Sequence, residues 1–277
     1  MQSDNQMVTF RLLGGFDAVG PDGSHIEISG RKAKALLSII ALSPDMSESR
    51  EHVANLLWSD RGDEQARGSL RQALVSLKRD LGSLNGILDI ERDRVGLQQD
   101  RVAVDAAQFQ CLAAAGKASE ALEFYNGVLL EDVSVADESF DSWLSGNRRR
   151  FNDLAIELYE IRVKELSGRE RVNLARRLLD LDPLREASHR VLIESLAAVG
   201  ERDQALRQYE ACRKVLQEEL GVEPSRSTRE QVDLLSKEAE LIPDTVTQAL
   251  STQVVAGSER TTIAVLPFRN ISGDEMQ

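Results

Sequence analysis

The sequence predicts a mainly α-helical protein. An N-terminal winged helix-turn-helix with a small β platform and a wing comes first, then an all-helical tetratricopeptide-like region. Three observations predict this. Residues 8–28 alternate apolar and polar side chains in short runs broken by turn residues. Amphipathic helical patterns follow, closed by a hairpin pattern over residues 87–97. From Val104 helix follows helix, with no strand pattern until Ile263.

In VTFRLLGG, Val8, Phe10 and Leu12 alternate against Thr9 and Arg11, and Phe16 to Val19 follows the Gly-Gly turn. Pro21-Asp22-Gly23 marks another turn, and His25 to Ile28 alternates again, so a small antiparallel platform is expected. Gly30 opens a helix over RKAKALLSIIAL with Ala33, Leu36, Leu37 and Ile40 as its buried stripe, and Pro44 ends it. Arg31, Lys32 and Lys34 crowd its first turn, where the helix dipole disfavours cations. A phosphate backbone alongside would make them favourable. Ser49 is the expected N-cap of a second helix with Val53, Leu56 and Leu57 inward and Trp58 plugging the core at its end.

The helix Asp63 to Leu81, capped by Asp60 or Asp63 and stopped by Gly82, is the stretch of greatest interest. With residues about 100° apart, Leu70, Leu74, Leu77 and Leu81 form one seam. Gly68, Gln72, Val75, Ser76 and Arg79 face the other way, with Arg71 and Lys78 flanking. Four basic residues and no acidic one lie between Arg67 and Arg79, in a chain of net charge -12. A solvated amphipathic helix would show the same wheel, so the neighbours decide. A short helix before it, a hairpin after it (Ile87, Leu88, Ile90, then Val95 and Leu97) and cations on the first helix agree on a major-groove reader.

In the helical region, Ala121-x3-Tyr125 and Ala205-x3-Tyr209 carry the small-then-aromatic spacing of tetratricopeptide hairpins. LARRLLDLDP, ending at Pro183, fits another repeat, with Arg171 occupying its small-residue position. Between them a helix of roughly Ser139 to Leu166 carries Phe140, Trp143, Leu144, Phe151, Leu154, Leu158 and Ile161. Arg148, Arg149 and Arg150 interrupt it and are expected on a solvated face or paired with the acidic segment 131–141. Gly221 ends the Ala205 helix, and a last helix spans about Ser227 to Leu241. The organisation expected is a winged helix over 1–104, helices over 105–241, a linker over 242–260 and the start of a further domain over 261–277. Ile263 to Phe268 reads as a strand without a partner, so the chain reads as the front of something longer.

Composition narrows the function classes. The chain has 277 residues, 42% apolar and 29% charged, without an apolar run approaching a membrane span. The polar start MQSDNQ is unlike a signal peptide, so a cytoplasmic location without membrane partners is expected. Cys111 and Cys212 are expected as buried free thiols. His25, His52 and His189 are too scattered for a metal site, and no nucleophile–base set or phosphate loop emerges, so neither cofactor nor enzymatic activity is expected. Residues 1–104 hold 13 basic and 15 acidic residues, which leaves -10 of the net charge for residues 105–277. A DNA-binding head on an acidic body fits that division.

GRKAKALLSIIAL, SREHVANLLW, ARGSLRQALVSLKRDLG and DRVGLQQDRVAVDAAQF resemble the amino-terminal half of the bacterial SARP-type activators, whose winged helix is OmpR-like. FDSWLSGNRRRFNDLAIELYE and LLDLDPLREASHRVLIESLAAVGERDQALRQYEACRKVLQEELGVEP resemble the bacterial transcriptional activator domain that follows it, and IAVLPFRNISGD resembles the opening of a TolB-like domain. The resemblance implies a DNA-binding transcription regulator whose DNA-facing positions are Arg67, Ser69, Arg71, Gln72, Ser76, Lys78 and Arg79. Arg and Gln can read guanine and adenine edges, and Val75 can meet a thymine methyl. Lys78 and Arg79 suit phosphates, as do Arg31 and Lys32 from the first helix and Arg92 and Arg94 from the wing. Glu91 and Asp93 depart from the more basic wing tip of such proteins. The implied partners are double-stranded DNA and RNA polymerase, with a homodimer or tandem copies on direct repeats. The competing reading is a helical-repeat adaptor whose winged helix contacts protein, motivated by the acidic body and that wing tip.

Overall fold

In the computed structural model, which describes residues 7–240, β1 (Val8–Arg11) and β2 (Asp17–Val19) pair antiparallel with Phe10 opposite Ala18. The expected strand at 25–28 is reduced to one bridge between Val19 and His25 and the bond from the Ile26 N–H to the Ala18 carbonyl, because β2, its partner, is only three residues long. The linker and terminal strand expected beyond residue 241 lie outside the described residues.

Helix α1 (Arg31–Leu42) follows Gly30, and its stripe Ala33, Leu36, Leu37 and Ile40 is buried. A short turn at 44–46 leads to β3 (Ser47–Ser49) and α2 (Arg50–Leu57), whose N-cap Ser49 accepts the His52 N–H at 3.0 Å. Helix α3 (Asp63–Leu81) has the predicted bounds, but its N-cap is Gly62 without a side-chain bond, so neither Asp60 nor Asp63 caps it. The wing strands β4 (Leu88–Ile90) and β5 (Arg94–Leu97) pair as expected, and β3 joins β5 on its other edge. That third strand requires Gly96, where a Cβ would sit 3.0 Å from the Met46 carbonyl oxygen.

Strand β6 (Val102–Val104) returns to lie parallel to β1, so the platform is mixed rather than antiparallel. A parallel neighbour needs a long crossover, and the three helices with the wing supply it. From β6 the chain passes directly into α4 (Asp105–Ala114) and α5 (Ala118–Leu122). Then come α6 (Glu138–Glu165), α7 (Gly168–Leu181), α8 (Glu186–Ala198), α9 (Arg202–Leu220) and α10 (Arg226–Glu240). From α4 to α9 each helix packs against the next, and Ala121, Ala175 and Ala205 are buried small residues among them. In α7 the small residue is therefore Ala175. Arg171 lies to the side and pairs with Glu194 at 3.0 Å.

Three further expectations change. Ile161 is 40% exposed, while Ile156, Tyr159 and Val163 are buried. A straight helix of 28 residues drifts relative to any fixed seam, so its second half presents a rotated face inward. Arg149 and Arg150 are exposed as expected, but Arg148 is half-buried and donates to the carbonyls of Leu129 and Leu130 at 2.9 and 2.6 Å. It thereby holds a segment in which Leu130 has a φ of 52°. Cys212 is buried, and burial pushes its thiol up to about 11, whereas Cys111 is exposed.

Residues through Arg229 form one compact unit, and one continuous cluster of buried side chains runs from Val8 in the platform to Leu178 in α7. Three aspartates stitch the winged helix to the helices along this seam. Asp105 accepts the N–H groups of Leu12 and Leu13 at 2.8 and 3.0 Å, and that of Ala106 at 2.6 Å. Asp132 accepts the Phe16 N–H at 2.6 Å and faces Lys34 at 3.8 Å. Asp137 accepts both the N–H and the hydroxyl of Ser59, at 2.9 and 2.8 Å. Burial raises the Asp105 pKa, against the pull of its N–H donors. Asp105→Ala would leave those buried donors unpaired, and the expected loss of stability is about 3 kcal/mol. Urea unfolding of the variant measures it; a loss within experimental scatter would show the seam does not depend on this carboxylate.

Candidate nucleic-acid interface

Helix α3 buries Ala66, Leu70, Leu74, Leu77 and Leu81 against the head and leaves the opposite side open. Arg67, Arg71, Gln72, Val75, Lys78 and Arg79 are exposed, with Ser69 and Ser76 half-buried. Val75 is 66% exposed and places an apolar side chain on this open face. The helix is electrostatically well formed, with Asp63 and Glu64 in its first turn and Lys78 and Arg79 in its last. Lys78 and Arg79 thus have a structural reason to be there as well as a candidate role. Two hydroxyls are engaged locally: Ser69 accepts from Arg61 and donates to the Gln65 carbonyl, and Ser76 accepts from Arg79.

The groove beside this face is built by three elements. Ser49, Arg50 and Glu51 at the start of α2, Arg67, Leu70 and Arg71 of α3, and Arg92 and Asp93 of the wing turn line a cleft of about 420 Å³. Four guanidinium groups against two carboxylates make it locally positive. The α2 N-terminus adds the positive end of a helix dipole. Arg67, Arg71 and Arg92 were all expected at such a surface; Arg50 was not. Its backbone N–H donates to the Asp93 carbonyl at 2.9 Å, and its guanidinium donates to the Glu91 carbonyl at 3.1 Å. It therefore holds the wing turn while facing the groove. The signal available in the sequence was its place directly after the N-cap Ser49, in the first turn of α2.

The remaining expected residues are placed differently. Arg94 is exposed, but its guanidinium donates to the Ser47 hydroxyl at 3.1 Å and ties β5 to β3. Arg31 is exposed on the first turn of α1. Lys32, one residue on, turns inward: its ammonium donates to the Leu57 carbonyl and lies 4.9 Å from the centre of the Trp58 ring. Burial lowers the Lys32 pKa, and the nearby Asp137 carboxylate opposes that shift. Two of the three cations crowding this helix start are thus answered from within the chain, Lys32 by Asp137 and Lys34 by Asp132, and Arg31 is left exposed. A phosphate is not needed to explain those two.

Fold and cleft together define a winged helix-turn-helix protein with a helical-repeat body. Residues 88–235, just over half of the chain, match the bacterial transcriptional activator domain, and the chain belongs to that family. It is 28% identical over 226 residues to the regulatory protein AfsR of Streptomyces griseus, a match covering 76% of this chain and 23% of that protein. The chain thus spans about a quarter of the length of that relative. The structure of Mycobacterium tuberculosis EmbR in complex with a low affinity phosphopeptide matches the fold with a TM-score of 0.58. That likeness holds at 18% identity and covers 83% of this chain and 65% of EmbR. The SARP-type resemblance of the sequence agrees with the family match and with the AfsR relative, and the EmbR structure shares the fold.

Lys32→Ala is expected to lower stability by roughly 2 kcal/mol, through the lost charged hydrogen bond and the lost contact with Trp58. Arg31→Ala is expected to change it by less than about 0.5 kcal/mol. Thermal denaturation of the two variants side by side checks the assignment. Equal melting temperatures would mean that Lys32 is as free as Arg31.

Proposed function

We propose that the chain is a sequence-specific DNA-binding transcriptional regulator, with residues 1–104 as the DNA-reading head and residues 105–241 as the body. The observation that carries this reading is the convergence of Arg50, Arg67, Arg71 and Arg92 on one open cleft beside the exposed face of α3. Helix α3 enters the major groove, where Arg67, Arg71 and Gln72 can bond base edges and Val75 can cover a thymine methyl. Ser69 and Ser76 supply further short contacts. Lys78, Arg79, Arg31 and Arg92 hold phosphates, and Arg50 joins them from the start of α2. Membership of the activator family supports a regulatory outcome, with RNA polymerase as the partner and a dimer or tandem copies bound to direct repeats.

Selection of bound duplexes from a random pool by the full chain yields the operator and the spacing of its repeats. Against the selected sequence, Arg71→Ala is expected to cost ~1–3 kcal/mol of affinity and to relax the preference at one base pair. Wild-type affinity should fall by about 0.9 log unit per neutralised phosphate for each tenfold rise in salt. No enrichment of any sequence, or binding indifferent to both salt and Arg71, would remove α3 as the reader. A stable protein partner found in place of DNA would then favour an adaptor.

Gly68 offers a second, independent check. It lies inside α3, and a Cβ there would meet no protein atom within 4 Å. Glycine costs a helix interior about 1 kcal/mol relative to alanine, and nothing in the packing requires it here. Close approach by a DNA backbone would. Gly68→Ala is therefore expected to raise the melting temperature and to weaken specific DNA binding by about fivefold or more. Higher stability with unchanged binding would show that no partner approaches this position.

A further inference from the structure

Helix α3 is held at its two ends by different parts of the molecule. At its C-terminal end the hold comes from the head: Asp80 accepts the Ser29 N–H at 2.8 Å and the Ser29 hydroxyl at 2.5 Å. At its N-terminal end the hold comes from the body. Ser59, in the turn between α2 and α3, donates its N–H to one carboxylate oxygen of Asp137 and its hydroxyl to the other. The oxygen that takes the hydroxyl also accepts the Ser139 N–H at 3.1 Å and so caps α6. Asp137 is 7% exposed, whereas Ser59 is open to solvent.

A carboxylate gripping two groups of one residue fixes the direction of that residue as well as its position. From Ser59 the constraint continues toward α3. The Arg61 N–H donates to the Trp58 carbonyl at 3.1 Å, and the Arg61 guanidinium donates to the Ser69 hydroxyl at 2.8 Å. Ser69 stands between Arg67 and Arg71, the two α3 arginines that line the cleft. An unbroken set of bonds therefore leads from the start of α6 to the base-reading part of α3.

We propose that Asp137 is a positioning residue for DNA reading: through Ser59 the helical body sets the angle at which α3 meets the groove. This rests on the DNA-binding function proposed above. Bidentate base contacts demand close alignment of a guanidinium with a base edge. Attraction to the phosphate backbone tolerates small rotations of the helix. Loosening the N-terminal end of α3 therefore penalises specific binding and leaves non-specific binding in place.

The test uses the full chain as wild type, Ser59→Ala, Ser59→Thr and Asp137→Asn. Each is titrated against the selected operator and against a random duplex of equal length, at several salt concentrations, with melting temperatures recorded alongside. Ser59→Ala removes one hydroxyl at an exposed position and serves where Asp137→Asn does not fold. Ser59→Ala and Asp137→Asn are expected to bind the operator about fivefold more weakly, a part of what one well-aligned bidentate base contact contributes to discrimination. Random-duplex affinity and the salt slope should stay at wild-type values, and Ser59→Thr should restore operator affinity. An equal fall on both duplexes that follows the melting temperature would make Asp137 a helix cap and nothing more, overturning the proposal. Unchanged operator affinity in folded variants would overturn it too. A wild type that prefers no sequence would instead refute the DNA-reading function, and with it this inference.

Discussion

The arrangement of this molecule depends on three carboxylates of the helical body accepting hydrogen bonds from the head. Asp105, Asp132 and Asp137 take N–H groups from Leu12 and Leu13, from Phe16, and from Ser59. Desolvating a carboxylate is costly unless several donors meet it, and the two buried ones, Asp105 and Asp137, each accept three or more hydrogen bonds, whereas Asp132 stays exposed. Because the donors are backbone groups of the head, these bonds set where the head's backbone lies, which apolar packing alone defines less sharply. The shared core then fills in behind them. Winged helix and helices thus behave as one unit to Arg229, with β6 running into α4 without a linker.

The same aspartates account for the charge pattern. Cations in the first turn of a helix oppose its dipole, and α1 has three. Asp137 and Asp132 offset two of them from the body side, leaving Arg31 exposed. The positive cleft formed by Arg50, Arg67, Arg71 and Arg92 is a separate feature on α2, α3 and the wing. Screening over ~8–10 Å in physiological salt lets such a cleft coexist with a net charge of -12 carried mostly by the body. Overall acidity and local basicity therefore do not contradict one another.

Within the candidate site, what could be read from the sequence was what depends on helix geometry alone. The seam of Leu70, Leu74, Leu77 and Leu81 identified the buried side of α3, and its complement identified the exposed side. Arg92 followed from the hairpin turn. Residues whose roles depend on neighbours distant in sequence were not legible. Lys32 has the same local context as Arg31, yet the Leu57 carbonyl and Trp58 draw it inward. Arg94 is diverted to Ser47 because β3 pairs with β5, a pairing that three residues of weak pattern do not announce. Arg50 reaches the cleft because the wing turn folds back over the α2 N-terminus.

The sequence by itself determined most of the helices, the wing hairpin, the exposed face of α3 and the family resemblance. Period, caps and breakers act over a few residues and are written locally. Tertiary structure decided the mixed platform, the small residue at Ala175, the rotation of the second half of α6 and the carbonyl clamp of Arg148. It also decided which cations remain free to meet a ligand. Each of these turns on a partner brought close by the fold from tens of residues away, and whether a polar group is satisfied or offered outward is settled only when that partner is in place.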